Sequence, residues 1–147
     1  MTLPNDELVF GYWPARQLRG DIPPAIREPS KYIGGDILNI ACTQTSLTKS
    51  RQQKLVNEWC NLLPTLQIKT LVFSSKVSQQ LFEAACNIPH LEALSIKWSS
   101  IVSFEPISKL TCLVIVSWKL ARDQKPQATF QMCCFEASIY QQYSRAR

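Results

Sequence analysis

The sequence predicts an α/β fold, a short repeat solenoid with a parallel β-sheet on its concave face and helices or turns on its convex face. Three observations carry this. A six-residue apolar frame recurs at Ile37-x-x-Ile40-x-Cys42, Ile68-x-x-Leu71-x-Phe73, Leu91-x-x-Leu94-x-Ile96 and Leu110-x-x-Leu113-x-Ile115, beginning at residues 37, 68, 91 and 110. Alternate side chains of a strand share one face, so the 4-and-6 spacing marks a short strand with one buried side. Between the early frames the apolar period changes to that of a helix. Finally, the frames stand 31, 23 and 19 residues apart, which leaves room for one strand and one return segment per unit. No such unit can bury its own apolar face, so stacking has to supply the core.

In chain order, residues 1–36 form an N-terminal flank. Pro4, Pro14, Pro23, Pro24 and Pro29 interrupt it and Gly34-Gly35 closes it, so no long element fits. Within it, LVFGYW (8–13) reads as a short strand or an aromatic plug. Tyr12 and Trp13 are read as a cover for the open end of the stack rather than a ligand-stacking pair, since terminal repeats need capping. After the first frame, Ser50-x-x-Gln53 reads as a capping box. The helix it opens places Leu55, Trp59, Leu62 and Leu63 on one face and ends at Pro64. After the second frame, Ser78 reads as an N-cap for a helix with Leu81, Ala85 and Ile88 inward, ended by Asn87 and Pro89. The third return, SSIVSFEPISK, has room only for a turn. Residues 37–118 are thus the repeats, with about four strands. Residues 119–147 contain no further frame and form an irregular basic tail or cap, in which Phe130, Cys133, Cys134 and Ala137 could line a weak helix.

Composition narrows the function. Apolar residues at 46% and charged residues at 18% fit a folded chain rather than a disordered one. The start, MTLPNDELVF, lacks a basic region followed by an apolar run, so a soluble cytoplasmic protein is expected. No apolar stretch approaches the roughly 20 residues of a membrane helix. The net charge of +5 is unevenly placed. Residues 1–118 hold 11 bases against 9 acids, and residues 119–147 hold five against two. The repeats are nearly neutral, which disfavours nucleic-acid binding there and leaves the basic tail as the alternative surface for nucleic acid or another anionic partner.

Catalytic and metal-binding patterns are missing from the sequence. The six cysteines (42, 60, 86, 112, 133, 134) contain no C-x-x-C, and His90 is the one histidine, so neither a zinc site nor a metal cofactor is expected. Without a secretion signal the cysteines read as small buried apolar residues rather than a disulfide framework. The Cys86–His90 pairing places its thiol on the inward side of a helix end, where thiols are inert. Four glycines and no phosphate-loop pattern exclude a nucleotide cradle of that type, and the scattered carboxylates form no two-acid constellation. No enzyme activity and no cofactor are expected.

The frame and its spacing resemble those of bacterial leucine-rich repeat proteins over residues 37–118. The segment Ile101-x-x-Phe104-x-Pro106-Ile107-x-x-Leu110-x-x-Leu113 is similar to the internalin type of repeat, in which a proline–leucine pair precedes the next strand. That family carries asparagine at the ninth position of the frame, where this chain has Thr45, Lys76, Ser99 and Trp118. The resemblance implies a binding module rather than an enzyme.

On this reading the non-frame positions face outward. They are Leu38, Asn39, Ala41 and Thr43, then Lys69, Thr70, Val72 and Ser74, then Glu92, Ala93, Ser95 and Lys97, then Thr111, Cys112, Val114 and Val116. An apolar centre with a charged rim suits a protein partner. The expected partner-binding residues are Lys69, Val72, Ser74, Glu92, Ser95, Lys97 and Trp98, the last a possible anchor because tryptophan is enriched among binding hot spots. Unsealed ends of the stack would also permit homo-oligomers.

Overall fold

The computed structural model describes residues 12–118, 128–131 and 140–143. Helix α1 spans Tyr12–Arg19, α2 Lys49–Leu62 and α3 Gln79–Ala85. The strands are β1 (Ile37–Ile40), β2 (Thr70–Val77), β3 (Ala93–Ser99), β4 (Ile115–Trp118), β5 (Ala128–Gln131) and β6 (Tyr140–Tyr143). They form one sheet in sequence order, β1-β2-β3-β4-β5-β6. The first four strands run parallel, and β5 and β6 add antiparallel. Phe130 thus belongs to a strand, not to the helix expected in the tail, while Cys133, Cys134 and Ala137 lie outside the described residues.

The core lies between the sheet and α2 and α3. Leu38 and Ile40, Leu71 and Phe73, Leu94 and Ile96, and Val116 line it from the strands. Leu55, Val56, Trp59, Leu81, Phe82 and Ala85 meet them from the helices. Trp59 is fully buried and donates its indole N–H to the Arg27 carbonyl at 2.9 Å, so its one polar atom is satisfied. The N-cap of α2 is Thr48, not Ser50, because the Thr48 hydroxyl accepts from the Arg51 N–H. A threonine two places earlier reaches the same orphan donor set, and it does so with an extended backbone. Ser78 caps α3 through the Leu81 N–H, as its position predicts. Pro64 follows α2 in a 3-10 turn (Leu63–Thr65), and the third return contains only the 3-10 turn Glu105–Lys109.

Register corrects two of the four frames. Leu38 pairs with Leu71, Leu71 with Leu94, and Leu94 with Val116. The frames at 68 and 91 stand as read. The first begins two residues late: Leu38 and Ile40 stand where Leu71 and Phe73 do, so Ile40 and Cys42 face the core as read, Leu38 joins them and Ile37 does not. The fourth begins three residues early: Val116 stands where Leu94 does, so Val116 is buried in the core while Ile115 belongs to the opposite face. In LTCLVIV nearly every position is apolar, and periodicity cannot choose between the two phases. In ILNIAC the phase of Ile40 and Cys42 is right, and only the leading residue of the frame, an odd number of positions before them, is misplaced. Counted from these register-matched residues, the strands stand 33, 23 and 22 residues apart (71 minus 38, 94 minus 71, 116 minus 94).

The strand starts are locked by a repeated backbone contact. The Asp36 carbonyl accepts from the N–H groups of Lys69 and Thr70, both at 2.9 Å. The Lys69 carbonyl accepts from Glu92 (2.8 Å) and Ala93 (3.0 Å), and the Glu92 carbonyl from Val114 (2.7 Å) and Ile115 (3.1 Å). Thr43, not Thr45, is the residue of the first unit equivalent to Lys76 and Ser99, since five residues separate each from its register-matched core leucine. Its hydroxyl meets Ser75 Oγ at 3.0 Å and the Lys76 carbonyl at 2.5 Å.

Register makes a direct prediction. Leu38→Ala is expected to cost about 2–5 kcal/mol of unfolding free energy, as buried leucines do, and Ile37→Ala clearly less. Urea denaturation of the two variants checks it, and the reverse ranking would contradict the β1 alignment.

Candidate functional site

Parallel strands normally have both faces covered. Here α2 and α3 cover one. The opposite face is built from residues that the register sets in rows across the sheet. Ile37, Thr70, Ala93 and Ile115 form the first row, and Asn39, Val72, Ser95 and Ser117 the second. The side chains in the second row are small. Val72, Ser95 and Ser117 are half-buried, as is Ser74 beside them. The row is tied together by polar contacts. Ser117 Oγ donates to Ser95 Oγ at 3.3 Å, Ser74 Oγ donates to Asn39 Oδ1 at 2.6 Å, and Asn39 Nδ2 donates to the Pro23 carbonyl at 3.0 Å.

Of the expected partner-binding residues, Val72, Ser74 and Ser95 lie together on this face. Lys69 and Glu92 stand at the strand starts next to it. Their ammonium and carboxylate approach to 4.0 Å while remaining well exposed, so the pair contributes little to stability. Lys97 and Trp98 belong to β3 by backbone, Trp98 opposite Lys76; their side chains lie outside the described residues.

The expectation of a fully open face does not hold, because the N-terminal flank crosses it. Tyr12 of α1 is buried against Ala93 and Ile115, with Trp13 and Val114 packed beside them. The rings of Tyr12 and Trp13 meet edge to face at 4.9 Å, and the Arg16 guanidinium lies 4.4 Å above the Tyr12 ring. Past Gly20, which adopts φ +74, the chain passes Pro23 and reaches Ile26. There it bridges Ile40 in parallel, the Ile26 N–H donating to the Asn39 carbonyl and the Ala41 N–H to the Ile26 carbonyl, each at 2.9 Å. Residues 12–26 therefore form a strap from β3 and β4 to the outer edge of β1. Sequence reasoning placed Tyr12 and Trp13 at the end of the stack. They cover its side instead, because Ile115 turns away from the main core and needs an apolar neighbour. The Trp13 Nε1 is buried with no hydrogen-bond partner among the described residues.

Of the four described cysteines, Cys42 and Cys86 are buried and Cys60 and Cys112 half-buried. Desolvation pushes the Cys86 thiol up to about 12 and the Cys42 thiol up to about 11. Burial also raises Cys60, with Glu83 adding to the effect. His90 does not face Cys86. It adopts φ +63 in the turn before β3, and its Nδ1 lies 4.0 Å from Cys112 Sγ across the sheet edge, a long contact that sequence spacing could not anticipate. Among the described residues no three His, Cys, Asp or Glu side chains gather as a metal site. Within the same residues no helix is long and apolar enough to cross a membrane. Comparison of the chain with protein-family models, with curated proteins and with solved structures returned no match.

The raised thiols set an order of reactivity. Only the thiolate attacks an alkylating reagent, so Cys42 and Cys86 stay protonated and unreactive at pH 8. Among the described cysteines, half-buried Cys112 is expected to be modified first in the folded chain. Labelling at Cys42 and Cys86 should rise only as the pH approaches 11–12 or when the chain unfolds. Peptide mapping after timed iodoacetamide treatment reads this, and early labelling of Cys86 at pH 8 would contradict its burial.

Proposed function

We propose that this chain is a non-catalytic protein-interaction module of the leucine-rich repeat type, which binds a partner protein through the sheet face opposite α2 and α3. The observation that carries the reading is that face itself: a parallel sheet whose second side holds a row of small residues, buried Asn39 and half-buried Val72, Ser95 and Ser117, beside the strap. Such a surface is flanked by exposed Lys69 and half-buried Glu92. That matches the arrangement in which a central patch depleted of charge is ringed by polar residues.

The repeat part of the reading has its own support. Register-matched spacings of 23 and 22 residues fall within the 20–29 typical of leucine-rich repeats. Consecutive strands are neighbours throughout, as in stacked units. The carbonyls of Asp36, Lys69 and Glu92 repeat one contact at successive strand starts. The internalin-like run from Ile101 to Leu113 maps onto the third return and the approach to β4.

The test is affinity capture with the full chain and with the double variant Val72→Arg, Ser95→Arg, using Lys54→Ala on the exposed side of α2 as a control. The partner retained by the native chain is expected to lose at least tenfold in affinity to the double variant, to keep its affinity for Lys54→Ala, and to depend weakly on salt. Retention of the same partner by the double variant would move the site off this face. A steep loss of affinity with salt would instead favour binding through the basic tail.

A further inference from the structure

We infer that His90 and Cys112 form a thiol–imidazole site between the starts of β3 and β4, where Cys112 takes up a low-molecular-weight disulfide by thiol–disulfide exchange and His90 carries the proton. The inference does not depend on the partner-binding reading above and uses side chains which that reading leaves aside.

Geometry brings the two groups together. His90 Nδ1 lies 4.0 Å from Cys112 Sγ, although 22 residues separate them in sequence. The strand register holds them side by side. The carbonyl of Glu92, two places past His90, accepts from the N–H of Val114, two places past Cys112, at 2.7 Å, and from that of Ile115 at 3.1 Å. His90 is the one non-glycine residue with a positive φ among the described residues. Its surroundings separate Cys112 from the other described thiols. Cys42 and Cys86 are buried, and Cys60 is raised by burial with Glu83 adding to the effect. Cys112 is half-buried and stands beside an exposed imidazole.

A thiol beside a base is the arrangement that nucleophilic sulfur chemistry requires, and such contacts tighten when a reactant is bound. With its ring proton on Nε2, His90 presents Nδ1 as an acceptor to the Cys112 S–H. Nδ1 takes the thiol proton, and the Cys112 sulfur attacks one sulfur of the disulfide R–S–S–R. A new S–S bond forms at Cys112 as the old one breaks, and the departing R–S⁻ recovers the proton from the imidazolium. One disulfide is consumed and one is formed, so no other oxidant enters. The open imidazole leaves room for a small peptide disulfide of the glutathione class.

The test treats the full chain with excess oxidised glutathione at neutral pH, quenches with acid at timed intervals and maps the adducts by peptide mass spectrometry. The adduct at Cys112 is expected to form at least tenfold faster than at Cys60, the other half-buried described thiol. His90→Gly accepts the positive φ while removing the imidazole. It should slow Cys112 at least fivefold and leave Cys60 unchanged, and free imidazole in the buffer should restore at least half of the lost rate. Should His90→Gly lose its fold by circular dichroism, His90→Asn replaces it, because asparagine also tolerates this backbone and carries no base. A native Cys112 that reacts no faster than Cys60 would overturn the inference. So would a folded His90 variant that keeps the native rate at Cys112, or a slowed His90→Gly that free imidazole does not rescue.

Discussion

The structure depends on the register with which four parallel strands share a single core. Leu38, Leu71, Leu94 and Val116 stand opposite one another and continue the same apolar surface from one strand to the next. A slip of one residue in any strand would send its whole buried set to the other side of the sheet. The carbonyls of Asp36, Lys69 and Glu92 guard against that slip, each holding two N–H groups at the start of the following strand. With the strand starts fixed, the positions of Trp59 and Phe82 above the sheet follow from the helices that return the chain.

The same register creates the second face. Because Ile115 cannot share a side with Val116, an aliphatic residue is turned away from the main core at β4. Tyr12 and the strap answer that exposure at β3 and β4. The strap then leaves Val72, Ser95 and Ser117 half-covered, and ends where Ile26 occupies part of the free edge of β1. Edge strands invite unwanted pairing, so the Ile26 bridge also limits one route to self-association. The face opposite α2 and α3 and the segment that partly covers it are therefore two consequences of one alignment.

Cysteine chemistry is subordinate to this packing. Cys42 and Cys86 sit in the main core, and their raised thiol pKa values follow from the apolar surroundings that the sheet and helices build. The proximity of His90 to Cys112 arises at the junction of two units, residues 22 apart brought together by the pairing of β3 and β4.

Much was legible in the sequence where local pattern and tertiary demand agree. The strand at 93–99 was readable because polar and apolar residues alternate there, and that at 70–77 from the spacing of Ile68, Leu71 and Phe73. The helix around Trp59 was readable from its 3.6-residue period, the cap at Ser78 from its hydroxyl, and the short turn near Pro106 from its length. The grouping of Val72, Ser74 and Ser95 on one face also follows from alternation, once the strands are known to lie side by side. Tertiary structure alone decided the rest. The nearly unbroken apolar run at 110–116 carries no phase, so only pairing with β3 could show that Val116 faces inward. At 37–42 the inward side of Ile40 and Cys42 was legible, and pairing with β2 set Leu38 rather than Ile37 beside them. The course of residues 12–26 had no sequence signal either. What holds that strap is an apolar gap beside Ile115, a backbone bridge to Ile40 and the amide of Asn39, and none of these exists until the sheet has formed.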